Sequence, residues 1–186
     1  MNLANKISVL RILLTPCFMG AVLYYSPEHD YLRFVALIIF GIAGLSDALD
    51  GLFARLLKQK TLLGTILDPV ADKLLLITAF ISLSAANNIP VSLRLPLWVP
   101  IVVVSRDIII VIGAVIIFII TGDIKISPSP IGKITTFFQM VTIIGVLLLY
   151  PHSNYLWSLA VIFTVLSGIH YVIRGARLLN GAHSRR

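Results

Sequence analysis

Along the chain, long apolar runs alternate with short clusters of turn-forming residues. Val35 to Leu45, Leu74 to Phe80 and Ile108 to Ile120 are apolar on every helical face, so no polar stripe is left to meet water. The runs predict helical spans near 8–26, 32–54, 69–87, 92–120, 133–150 and 154–176, each of about 20 residues as a bilayer requires. The breaks carry turn chemistry: Ser26-Pro27-Glu28-His29-Asp30, Asn87-Asn88-Ile89-Pro90, Ser127-Pro128-Ser129-Pro130 and Pro151-His152-Ser153-Asn154. Pro69 directly after Asp68 suits a helical first turn, where its missing N–H costs nothing, so the third helix is expected to start there with an acidic cap.

Polar residues add direction. Lys6, Arg11, Arg55, Lys58, Lys60, Lys125, Lys133, Arg174, Arg177, Arg185 and Arg186 flank one side of these spans, whereas Arg33 and Arg94 flank the other. Basic residues accumulate on the cytoplasmic side, so both termini and the linkers 55–68 and 121–132 are expected there. Composition agrees: 58% of the 186 residues are hydrophobic and 12% charged, about half the charge of a soluble domain. The expectation is an all-α, multi-pass integral membrane protein of six transmembrane helices, one domain over 1–179, and a basic tail over 180–186 that attracts anionic lipid. Orientation accounts for the net charge of +7, and no nucleic-acid partner is expected. The lone Cys17 excludes an intramolecular disulfide, and no signal-peptide cleavage site follows Met1.

The acidic residues are unevenly placed. Of eight in the chain, Asp47, Asp50, Asp68 and Asp72 fall within 26 positions at the ends of two apolar helices. An ionised Asp within a span costs at least ~2.5 kcal/mol at the helix centre, so such residues face a partner or a wet cavity. Spacings of three and four place each pair on one helical face. Four converging carboxylates repel unless a divalent cation neutralises them, and oxygen ligands select Mg²⁺, Mn²⁺ or Ca²⁺. Mg²⁺ usually shares protein carboxylates with substrate phosphates, which points to a phosphate-bearing ligand. Gly51 and Ala54 leave a small-residue groove where a ligand can approach the backbone, although helix packing also uses such residues. His29, His152, His170 and His183 stand apart from the cluster.

The pattern Asp47-x2-Asp50-Gly51-x2-Ala54-Arg55-x8-Gly64-x3-Asp68-x3-Asp72 resembles, at every position, the signature of the CDP-alcohol phosphatidyltransferases. The resemblance implies a six-helix membrane fold, often a homodimer, with a polar cavity open to the cytoplasm, in the inner membrane of a bacterial cell. It implies CDP-diacylglycerol as the lipid substrate. Asp47, Asp50 and Asp68 would ligate Mg²⁺ or Mn²⁺, two ions in all, with Asp72 beside them as a further ligand and as the base on the acceptor hydroxyl. A metal-bound Asp72 would be a weak base, so its two roles stay open. Asp47, Gly51, Ala54 and Arg55 would hold the cytidine diphosphate portion, and Gly64 would bend the linker between helices two and three.

Further segments resemble the bacterial branch of that family whose acceptor is sn-glycerol 3-phosphate. They are Asn5-x2-Ser8-x2-Arg11, with Ser8 where Thr is common, Asp68-Pro69-Val70-Ala71-Asp72-Lys73, Ser105-Arg106-Asp107 and Ile131-Gly132-Lys133-x2-Thr136-x2-Gln139-Met140. A phosphorylated acceptor needs cations, and the guanidinium fork suits phosphate. Arg106, inside the fourth span, is the first candidate, with Lys133 and Arg174 behind it. The competing readings are a structural pair of Arg106 with Asp72 or Asp107, and snorkelling of Lys133 and Arg174 to the interface. Phosphatidylglycerol, serine or inositol phosphate are the alternative acceptors. A cation transporter is the alternative of a different class; it calls for repeated halves, and the aspartates cluster once.

Overall fold

The computed structural model describes the backbone of residues 3–57, 62–90, 93–121 and 129–183, and the side chains of 8–46, 70–90, 93–117, 119 and 129–177. Among these residues the chain forms six α-helices and no strand: α1 (Leu3–Leu23), α2 (Tyr31–Leu57), α3 (Leu62–Ala85), α4 (Trp98–Thr121), α5 (Pro130–Leu147) and α6 (Ser153–His183). A short 3-10 turn, Pro27–His29, joins α1 to α2. The α4 stretch Trp98–Ile117, all of α5 and the α6 stretch Ser153–Arg177 are long and apolar enough to cross a bilayer. The apolar stretches described in α1 and α2, Ser8–Leu23 and Tyr31–Ser46, are shorter.

Two boundaries differ from expectation. α3 begins at Leu62 instead of at Pro69, so Asp68 is no cap and Pro69 lies inside the helix. The apolar residues Leu62, Leu63, Ile66 and Leu67 carry the helix upstream; the hydrogen bond that Pro69 forgoes is a loss that apolar helices tolerate when neighbouring groups satisfy the freed carbonyl. Gly64 accordingly sits in the first turn of α3, not in a linker; residues 58–61, which connect α2 to α3, lie outside the described residues. α4 begins at Trp98 instead of near 92 because Pro90 and Pro96 hold the chain in turns. Leu93 and Arg94 donate their N–H to the Pro90 carbonyl at 2.8 and 3.0 Å, and Val99 to that of Pro96 at 3.0 Å.

The ends of α5 show how local chemistry sets a helix. Ser129 is its N-cap, taking the Gly132 N–H on its hydroxyl at 3.1 Å, and Pro130 occupies the first turn. At the other end Leu149 adopts the left-handed conformation (φ 52°) that usually falls to Gly, and the Tyr150 N–H returns to the Gly145 carbonyl at 2.9 Å. α6 continues through His183, into the segment expected as a tail.

The helices pack as two groups of three. α1 lies along α2 and α3, and α6 lies along α4 and α5, while α3 meets α4 and α5 where the groups join. Phe18 and Val22 of α1, Phe40 of α2, Leu76 and Phe80 of α3, Val103 of α4 and Ile143 of α5 are buried in the shared core. Small buried residues, among them Ala36, Ala43, Ala71, Ala79 and Ala160, let backbones approach, the usual means of packing helices in lipid. Gly145 is the tightest case: a β-carbon there would stand 2.5 Å from Leu156 Cδ1 of α6. The outer surface is Ile, Leu and Val, with Leu45, Leu97, Ile101 and Ile119 more than 60% exposed, a face suited to hydrocarbon and not to water.

Several polar side chains in the helices bond locally or across a seam, whereas Ser82 Oγ and Gln139 Oε1 are buried without a partner among the described residues. Thr15, Ser46, Thr142 and Ser158 each donate to the carbonyl four residues back. Between α5 and α6, the Thr135 hydroxyl lies 2.9 Å from the Phe163 carbonyl, and Gln139 Nε2 donates to Thr164 at 3.2 Å. Such interhelical bonds average about 0.6 kcal/mol, so side-chain packing does most to hold the bundle.

At the end formed by the α1–α2, α3–α4 and α5–α6 connections, Arg33 makes two 2.9 Å bonds to Asp30 and donates from Nη1 to the Leu147 carbonyl at 3.2 Å. Asn88 donates to the Tyr25 carbonyl at 2.7 Å. The Arg33 hydrogen bonds hold the Asp30 carboxyl below its usual value of 3.8. A depressed folded-state value means a contribution to stability that is complete above the ordinary carboxylate range and lost as pH falls through the folded value. Asp30→Asn is therefore expected to melt below the wild type in detergent at neutral pH. The difference should shrink on acidification below about pH 4, where carboxylates protonate; a difference independent of pH would show that the charge of Asp30 is immaterial.

Candidate active site

Asp47, Asp50, Gly51, Ala54 and Arg55 lie on the last turns of α2, and Gly64, Asp68 and Asp72 on the first turns of α3. Both backbones are continuously helical through these positions, and α2 and α3 pack against each other. Spacings of three and four thus put each aspartate pair on one side of its helix. Of the four side chains only that of Asp72, half-buried beside the fully buried Ala71, is among the described residues. Among the described side chains no group of three or more potential metal ligands occurs, and those of Asp47, Asp50 and Asp68, like those of Gly64, Ala54 and Arg55, fall outside that set.

On the next position of α3, Lys73 reaches α4. Its ammonium stands 3.0 Å from Oδ1 and 2.9 Å from Oδ2 of Asp107. Asp107 also takes Nη1 of its neighbour Arg106 at 2.7 Å. Arg106 Nη2 donates to the Ser167 hydroxyl of α6 at 2.6 Å, and the guanidinium carbon lies 5.7 Å from the centre of the Tyr171 ring. Arg106 is 7% exposed, and its Nε has no hydrogen-bond partner among the described residues. The structural pair of Arg106 with Asp107 weighed from the sequence therefore exists. It does not use up the guanidinium.

Among the described residues Lys73, with its side chain 35% exposed, and the buried Arg106 share the Asp107 carboxylate, and one guanidinium N–H has no partner. A buried donor left unmade costs about 1–3 kcal/mol, and a charged one more. The backbone of α5 packs closely against the guanidinium: a β-carbon on Gly132 would stand 3.3 Å from Arg106 Nη2, 3.2 Å from Ser129 Oγ and 3.6 Å from the Tyr171 hydroxyl. The same Tyr171 hydroxyl accepts the Ser129 N–H at 3.2 Å, tying α6 to the start of α5.

The other cations are placed more loosely. Lys133 is exposed on the first turn of α5, one residue beyond Gly132. Arg174 is half-buried on α6, one turn after Tyr171, and borders a hollow of about 390 Å³ between α4 and α6. That hollow is apolar, walled by Ile109, Ile112, Gly113 and Ile116. On α1, Ser8 and Arg11 are buried, at 0% and 1% exposure, in the helix that lies along α3. Sequence reading treated Arg11 as a flanking topology charge, and it passed over Lys73, Ser167 and Tyr171 as site residues. The signal that was available is the Lys after Asp72 and the Asp after Arg106, opposite charges adjacent to both candidate sites.

The family model of the CDP-alcohol phosphatidyltransferases matches residues 1–167. The chain is 34% identical to a probable phosphatidylglycerophosphate synthase of Mycobacterium tuberculosis, over 97% of this chain and 84% of that protein. It is 32% identical to a CDP-diacylglycerol–glycerol-3-phosphate 3-phosphatidyltransferase of Aquifex aeolicus, over 96% of this chain and 98% of the relative. A Bacillus subtilis protein of the same name is 33% identical over 91% and 93% of the two chains. With a signature complete over α2 and α3 and a match that takes in nine-tenths of its length, the chain belongs to the CDP-alcohol phosphatidyltransferase family.

Proposed function

We propose that the chain transfers the phosphatidyl group of CDP-diacylglycerol to sn-glycerol 3-phosphate, releasing CMP and phosphatidylglycerophosphate. The observation that carries the acceptor is the Arg106 guanidinium: buried, sharing its one carboxylate with Lys73, and short of one hydrogen-bond partner among the described residues. A phosphate monoester fits it, and a neutral alcohol does not. The relatives named for glycerol 3-phosphate transfer support the same reading.

In this reading Asp47, Asp50, Asp68 and Asp72 hold two Mg²⁺ or Mn²⁺ ions, with Gly51, Ala54, Arg55 and Gly64 around the cytidine diphosphate portion. When bound, the ions neutralise charge on the diphosphate and on the departing CMP. Arg106 orients the phosphate of glycerol 3-phosphate, aided by Lys133 and Arg174, so that its primary hydroxyl points at the lipid's phosphorus. A new P–O bond forms to that oxygen, the P–O bond to CMP breaks, and CMP leaves with the electron pair. Asp72 takes the hydroxyl proton, and its share in holding metal makes it a weak base, so placement is its larger contribution.

The architecture belongs to the same proposal. Residues 1–179 form six spans around a polar cavity open to the cytoplasm, with 180–186 as a basic extension, in the inner membrane of a bacterial cell. Both termini are cytoplasmic because the basic residues gather at the α2–α3 end, and Tyr24, Tyr31, Trp98, Tyr150 and Tyr155 line the opposite end, where aromatic side chains favour the lipid–water boundary. Two copies form a homodimer.

Purified protein with CDP-diacylglycerol and Mg²⁺ or Mn²⁺ should release CMP when glycerol 3-phosphate is added, and not with serine, inositol phosphate or phosphatidylglycerol. Release with one of these alone would keep the family and discard the acceptor. Asp72→Asn should lower kcat on the order of 10² to 10⁴-fold, the range for a lost proton acceptor. Arg106→Lys keeps the charge and loses the fork; it should raise the KM for glycerol 3-phosphate about tenfold, as the loss of a charge-assisted hydrogen bond of about 1.5 kcal/mol does. Gly132→Ala should raise the same KM by less, and Gly132→Val by more, because the added carbons crowd Arg106 and Ser129. Equal KM values across the Gly132 series would remove Arg106 from the acceptor site.

A further inference from the structure

The residues assigned to the two substrates lie on different halves of the bundle. All four aspartates, with Gly51, Ala54, Arg55 and Gly64, are on α2 and α3, whereas Arg106, Lys133 and Arg174 are on α4, α5 and α6. These are also the two packing groups, which meet along the limited seams of α3 with α4 and α5 and of α2 with α5. Transfer requires the acceptor oxygen to lie in line with the phosphorus, so the relative position of the halves must be held closely.

We infer that Asp107 and Lys73 are positioning residues that hold the register between the two halves, and thereby the acceptor against the lipid phosphorus. Lys73 directly follows Asp72, and Asp107 directly follows Arg106, so their ion pair of 2.9 Å joins α3 to α4 one residue from each reacting site. Asp107 serves both partners at once, with Oδ1 receiving Lys73 Nζ at 3.0 Å and Arg106 Nη1 at 2.7 Å. Adjacent side chains on a helix diverge, so Arg106 and Asp107 do not meet by helix geometry alone. They meet where Asp107 also takes Lys73 from α3, while the other end of the guanidinium is held by Ser167 of α6. Asp107 is 9% exposed, in an environment where removing one member leaves an uncompensated charge. Neither residue is assigned a contact with substrate or with the reacting atoms.

This inference rests on the proposed acceptor, and the test separates the two. Initial rates of CMP release are measured with each substrate varied, in wild type, Asp107→Asn, Lys73→Met, the double variant, and the conservative Asp107→Glu and Lys73→Arg. Asp107→Asn and Lys73→Met should lower kcat/KM for glycerol 3-phosphate on the order of 10²-fold, as misplacement by about 1 Å does, while the KM for CDP-diacylglycerol stays at the wild-type value. The double variant should be no worse than the poorer single one, and Lys73→Arg should restore most of the activity. Lys73, with a side chain 35% exposed, keeps the test open should the more buried Asp107 variants not fold. Variants that lose only yield or melting temperature, with an unchanged KM for glycerol 3-phosphate, overturn the inference and leave the acceptor in place. Additive losses in the double variant overturn it as well. A wild-type enzyme that accepts no phosphorylated alcohol overturns the acceptor reading and this inference together.

Discussion

Hydrocarbon offers a buried polar group no water to bond, and every other feature of this chain is arranged around that constraint. Hydroxyls turn back on their own helix, Gln139 finds Thr164, and the charged groups inside the bundle are gathered where they meet each other. Lys73, Asp107 and Arg106 form the clearest such meeting point, supported by Ser167 and Tyr171 from a third helix. The unmatched part of that cluster is as informative as the matched part. Asp107 is shared by two cations, and the buried Nε of Arg106 is left without a partner among the described residues.

The division into two groups of helices gives the chemistry its form. The aspartates of the signature lie on one half and Arg106, Lys133 and Arg174 on the other, and the Lys73–Asp107 pair crosses between them. Packing within each half is extensive and rests on small residues and close backbones. Packing across the seam is less extensive, which makes polar contacts there matter more to geometry than their modest energies suggest. Arg33 against the Leu147 carbonyl joins the halves at one end, and the Lys73–Asp107 pair joins them toward the other.

Family membership places the chain among enzymes that carry out this kind of transfer, and the structure adds how one segment of the resemblance is packed. Gly132 is a packing requirement as much as a motif position, because any β-carbon there presses on the guanidinium, the Ser129 cap and the Tyr171 hydroxyl together. The N-terminus of α5 and the last turns of α6 are thereby fixed relative to Arg106 by three side chains from three helices.

The linear sequence determined the all-helical class, the number of helices, the bounds of α2 and α5 to within three residues, the aspartate register and the family, because each rests on local periodicity or on fixed spacing. Hydrophobic runs bounded by Ser-Pro and Asn-Pro chemistry mark helices without reference to anything distant. It misplaced the start of α3, since a Pro reads as a beginning unless one knows that upstream Leu and Ile carry the helix past it. The tertiary structure alone decided that Arg11 is buried, that Arg106 pairs with its own neighbour, and that Lys73 reaches across to α4. Those outcomes depend on which helix faces lie together, and two residues 34 positions apart have no spacing rule that announces their contact.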